Sequence, residues 1–140
     1  MATWQKVFPL SYRLFMKIAE PRVVRLLHFG IYVCMLTAGF GVLSYPPRSF
    51  DSLVGTTLVY IFGAFVFLGG LLGAVSVLPG VWWLERVGIL ALITGMLMYI
   101  AMIIELGSSP IGFVIPIAFS FTFALRWLEI RRYQLAPREE

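Results

Sequence analysis

Apolar residues run almost unbroken through four stretches of the chain, 23–44, 53–78, 87–106 and 111–128. Each is about long enough to cross a hydrocarbon core of about 30 Å, which takes about 20 helical residues. The runs are continuous. A membrane barrel would instead show alternating strands of about ten residues. Inside a bilayer the backbone must bond within its own segments, so these runs predict helices. The pattern therefore predicts an all-α integral membrane protein with four transmembrane helices in an antiparallel up-down bundle. It is a single membrane domain over 1–140, because four spans leave no room for a second.

Breaks between the runs fall where turn chemistry places them. Tyr45-Pro46-Pro47 ends the first span, and Asp51-Ser52 offers caps for the second. At 26 residues the second span is about 39 Å long at 1.5 Å per residue, so it is expected to tilt or protrude. Pro79-Gly80 stops it. Ser108-Ser109-Pro110 reads as cap and first residue of span four, and Pro116 is expected to bend that span. The helix is expected to continue past Trp127 through Tyr133 into a tail over 129–140. Before span one, an interfacial amphipathic helix is expected within 10–20, capped by Ser11. Leu14, Phe15, Ile18 and Ala19 form its apolar stripe, and Arg13, Lys17 and Glu20 its polar side. Thr37-Ala38-Gly39 could pass for a leader cleavage site, but the long segment before the run and its continuation beyond favour a retained span.

Charge sets the orientation. With both termini on one side, that side holds ten Lys and Arg residues, and the other holds Arg48 alone. The positive-inside rule then puts both termini in the cytoplasm, and an even number of spans independently requires them to share a side. The expected location is the bacterial cytoplasmic (inner) membrane, with anionic lipid headgroups as partners. The net charge of +4 does not imply nucleic acid, since the basic residues flank spans.

Composition agrees: 60% hydrophobic, 13% charged and a mean hydropathy of +0.91. A soluble domain carries about 25% charged residues. Cys34 is the single cysteine and lies inside span one, so it forms no internal disulfide or cysteine metal cluster.

No catalytic, cofactor or metal motif is present, and the chain reads as a non-enzyme without cofactors. Gly69-Gly70-Leu71-Leu72-Gly73 lacks the strand and lysine of a phosphate loop. Gly69 and Gly73 instead share one helix face and allow close approach of another backbone. Gly63, Gly70 and Ala74 form an adjoining row. Ala91 with Gly95, and Ser120 with Ala124, repeat the spacing. These rows either pack the monomer or make an oligomer.

Three ionisable residues lie at or near membrane depth. Glu105, at the outer end of span three, is either a functional intramembrane acid or a residue that reaches water. His28 is a candidate polar residue of span one, readable also as packing or interfacial. Arg126 is expected to snorkel to the surface as an anchor. Trp82, Trp83 and Trp127 are expected beside it as interface anchors, next to Glu85 and Arg86. Thr37, Thr56, Thr57, Thr94 and Thr122 can bond their own helix backbones.

Two segments carry a resemblance: Val77-Leu78-Pro79-Gly80-Val81-Trp82-Trp83-Leu84-Glu85-Arg86, and Arg126-Trp127-Leu128-Glu129-Ile130-Arg131-Arg132-Tyr133. With the glycine-bearing span between them, they resemble small four-span membrane proteins of actinobacterial phages, some of them holins or holin-like. That resemblance implies a homo-oligomer that permeabilises the cytoplasmic membrane during host cell lysis. The alternative is a non-catalytic accessory or structural subunit of a larger membrane complex, or a superinfection-exclusion protein.

Overall fold

The computed structural model describes residues 22–48, 55–107 and 111–135. The expected interfacial helix, the Asp51-Ser52 and Ser108–Pro110 caps and the end of the tail lie outside them. The described residues form four helices and no strand: α1 (Arg22–Ser44), α2 (Thr56–Val77), α3 (Trp82–Glu105) and α4 (Ile111–Leu135). All four are long and apolar enough to span a membrane.

Two helix boundaries differ from the sequence expectation in ways that matter. α2 begins at Thr56 behind Gly55, with no side-chain cap, and has 22 residues. That is about 33 Å of helix, which matches the hydrocarbon core, so the expected excess length is gone. α3 starts at Trp82, five residues before the expected start. The turn before it is short because Gly80 takes a left-handed backbone (φ 77°). The Gly80 and Val81 amides both donate to the Ser76 carbonyl at 3.0 Å. This closes the end of α2 and admits α3 at once. Trp82, Trp83, Glu85 and Arg86 thus lie in the first turns of a helix, not in a loop. α4 continues to Leu135 and stays one helix through the buried Pro116.

Each helix packs against its neighbours in sequence. Along α1 and α2, Arg25 meets Val77, Leu36 meets Gly70, and Val42 meets Gly63. Along α2 and α3, Gly69 meets Gly88 and Val66 meets Gly95. Between α3 and α4, Glu85 meets Arg126. The inner pair is more enclosed: 44% of the most apolar window of α2 and 39% of that of α3 are buried, against 17% for α1 and for α4. Large apolar side chains such as Leu27, Leu97, Val114 and Phe121 point outward. A water-soluble monomer does not expose so much continuous apolar surface.

Glycine makes the tight seams. A Cβ at Gly73 would overlap the Tyr32 ring, and one at Gly70 would meet the backbone of Leu36. On the other face of α2, a Cβ at Gly69 would lie 2.7 Å from Leu92 Cγ and 2.9 Å from the Gly88 carbonyl oxygen. Gly63 and Gly95 are close to Val42 and Val66. Ala91 is half-buried on α3. A Cβ at Gly63, Gly70 or Gly73 would meet α1 and one at Gly69 would meet α3, so the face expected to be shared by Gly69 and Gly73 is divided between two neighbours within one chain. Gly39 and Gly88, which the spacing argument did not single out, complete these seams from the opposite sides.

Candidate functional site

Among the described residues, the interior holds one charged cluster, near the end of the bundle where α1 begins and α4 ends. Glu85 belongs to the first turn of α3 and is 1% exposed; Arg126 of α4 is 3% exposed. Arg126 Nε donates to Glu85 Oε1 at 2.7 Å, and Nη2 donates to Oε2 at 3.3 Å. This is a two-pronged guanidinium–carboxylate pair, the geometry that best repays desolvation. Arg126 Nη1 donates to Glu129 Oε2 at 2.6 Å, one turn along α4. The Tyr32 hydroxyl of α1 donates to Glu85 Oε1 at 3.2 Å. Glu85 thus accepts three hydrogen bonds from two other helices. A carboxylate in the first turn also suits the positive end of the helix dipole.

Arg126 does not snorkel to the surface. Its side chain turns inward because α3 presents Glu85 to it inside the bundle. Sequence reasoning placed Glu85 in a loop, so the partner was out of reach. The signal that would have found it is a charge close behind Pro79-Gly80 and followed at once by apolar helix. A turn that short leaves no room for Glu85 outside the span.

The surroundings of the cluster are aromatic and basic. The Tyr32 ring fills the notch at Gly73 and stacks on Phe123, with centroids 6.3 Å apart and planes at 11°. Arg86 lies over Trp82 and Trp127, at 5.6 and 5.0 Å, and ties α3 to α4 by cation–π contacts. Trp82 and Trp83 are otherwise exposed, and Trp127 is half-buried. Arg25 Nη1 donates to the Val77 carbonyl at 3.0 Å, satisfying an end group of α2.

The other sequence candidates do not join this cluster. His28 Nδ1 lies 2.8 Å from the Val24 carbonyl of its own helix, with its ring 6.5 Å from that of Tyr32. Glu105 is exposed as the last residue of α3. The hydroxyls of Thr37, Thr94 and Thr122 each donate one turn back, to Val33, Leu90 and Ala118. No group of three or more His, Cys, Asp or Glu residues among the described residues could hold a metal ion.

Toward the opposite end, the helices part around a cavity of about 340 Å³. Met35, Val59, Phe62, Met96, Tyr99 and Phe119 are among its walls, so all four helices contribute. Phe119 also stacks on Phe123 at 6.3 Å. Phe119, Phe123 and Tyr32 thus make an aromatic column that separates the cavity from the charged cluster.

Comparison with protein-family models, curated proteins and solved structures finds no match for this chain. Four long apolar helices around a buried ion pair make it a multi-pass membrane protein by architecture, and its function has to be read from that architecture alone.

Proposed function

We propose that this chain is a non-catalytic accessory or structural subunit of a larger assembly in the bacterial cytoplasmic membrane. It crosses the bilayer as an up-down four-helix bundle with both termini cytoplasmic. The observation that carries this reading is where the adhesive surfaces point. The small-residue rows of α2 are filled by Tyr32, Leu36, Gly88 and Leu92 of the same chain. The interior acid and base are satisfied by one another. An oligomer built through those rows would need the same faces twice. What remains for a partner is the large-side-chain surface of α1 and α4, the two least buried helices.

A second reading keeps the holin-type resemblance. It is favoured by those same exposed faces, which could join copies laterally without opening the bundle. Controlled expression separates the two. An accessory subunit leaves membrane potential steady as it accumulates, whereas a holin-type oligomer collapses it abruptly after a delay. Abrupt depolarisation overturns the accessory reading.

The orientation rests on the ten-to-one split of basic residues. A reporter fused after Glu140 is expected in the cytoplasm, and one inserted near Arg48 or Ser108 outside. An external C-terminus reverses the arrangement. The amphipathic pattern at 10–20 supports an interfacial helix on anionic lipid. A peptide of residues 1–22 is expected to gain helicity on anionic vesicles and to lose much of it in high salt.

A further inference from the structure

We propose that the cavity between the four helices holds an acyl chain of a membrane lipid, entering sideways between α1 and α4. The inference rests on the chain's residence in a bilayer and not on its being an accessory subunit.

Tyr99 is the one lining residue whose side chain carries a polar group. Water needs two to four polar partners to stay in such a space, so the cavity does not hydrate. Its volume of about 340 Å³ is far larger than the ~30 Å³ share of one water molecule, and suits a run of methylene groups. Left empty, the walls would lose dispersion contacts that the surrounding hydrocarbon can supply.

The way in lies at lipid depth. The close helix seams are α1–α2, α2–α3 and α3–α4, and α1 is not packed closely on α4. Two cavity residues on that open side are exposed: Ala38 of α1, and Ile115 of α4 at 62%. Ala38 is six residues from the end of α1, about 9 Å along the axis, and Ile115 four residues from the start of α4, about 6 Å. Both positions sit inside the apolar span, where the available molecules are lipid tails. The aromatic column of Phe119, Phe123 and Tyr32 closes the inner end, so a chain that enters stops short of Glu85 and Arg126.

The test uses the full chain in vesicles of phosphatidylethanolamine with a photoactivatable diazirine midway along one acyl chain. Labelled residues are located by peptide mass spectrometry. Surrounding lipid labels outward residues such as Phe121 whether or not the cavity is occupied. The diagnostic residues are Met35 and Met96, which are buried and line the cavity, against Met102, which is buried and does not. Adducts are expected on Met35 and Met96 and not on Met102. Ala38→Trp and Ile115→Trp alter exposed rim positions, so the bundle is expected to fold. They are expected to abolish labelling at Met35 and Met96 while leaving Phe121 labelled as before. Labelling of Met35 and Met96 no greater than that of Met102 overturns the proposal. So does labelling that persists in both tryptophan variants. Failure of the accessory reading would show as depolarisation and would not move these readouts.

Discussion

At one end of the bundle, Tyr32, Glu85 and Arg126 bring three helices together through directed hydrogen bonds over a glycine notch. Toward the other end the same helices part around a cavity walled by Met, Val and aromatic side chains. The first region is specified atom by atom. Tyr32 and Arg126 donate to carboxylate oxygens at fixed distances, and a buried charge without its partner is costly. The second is specified only by shape, and hydrocarbon from the bilayer can substitute for missing protein contacts. In a membrane there is little hydrophobic drive to bring helices together, so close packing and polar contacts must do so. The charged end therefore sets the arrangement of α1, α3 and α4, and the cavity end can stay loose.

Breaking the charged end is expected to have the largest effect. Arg126→Ala leaves Glu85 buried and without its ion-pair partner, and is expected to destabilise the bundle by about 3–5 kcal/mol. Steric-trapping unfolding in bicelles measures this. Glu85→Met combined with Arg126→Met removes both charges at once and is expected to recover most of the loss. A double variant as unstable as Arg126→Ala would show that the pair is not the coupled unit described here.

Filling the notch comes next. Gly73→Leu drives side-chain atoms into the Tyr32 ring and is expected to cost about 1–3 kcal/mol by overpacking. The same unfolding measurement reads it. Combined with Gly69→Leu, it is expected to weaken the folded monomer, since both faces are occupied within one chain. Undiminished monomer stability with lost self-association would instead make this face an assembly surface.

Tyr32→Phe is milder. It keeps the stack on Phe123 and removes one of three hydrogen bonds to Glu85, for an expected loss of about 1.5 kcal/mol. A loss as large as that of Arg126→Ala would mean the hydroxyl, and not the ion pair, organises the cluster.

The smallest effect is expected away from both regions. Thr94 is exposed and bonds the Leu90 carbonyl of its own helix. Thr94→Val is expected to change stability by no more than about 0.5 kcal/mol. A larger change would show that the outward face of α3 is engaged by a partner.

What the sequence could show follows from the range of the physics involved. Four apolar runs and the residues that interrupt them determined four helices of spanning length, because backbone bonding in hydrocarbon and turn chemistry at Pro and Gly act within a few residues. The spacing of Gly63, Gly69, Gly70 and Gly73 likewise showed that α2 carries faces suited to close approach. Which neighbour fills each face was decided only in three dimensions, where Tyr32 occupies the notch at Gly73 and Gly88 meets Gly69. The charged site was hidden for the same reason. Glu85 and Arg126 are 41 positions apart, and each alone reads as a residue at the membrane surface. Only a turn short enough to start α3 at Trp82, and the packing of α4 against α3, bring them together. A buried ion pair is a property of two helices at once, and no single stretch of sequence contains it.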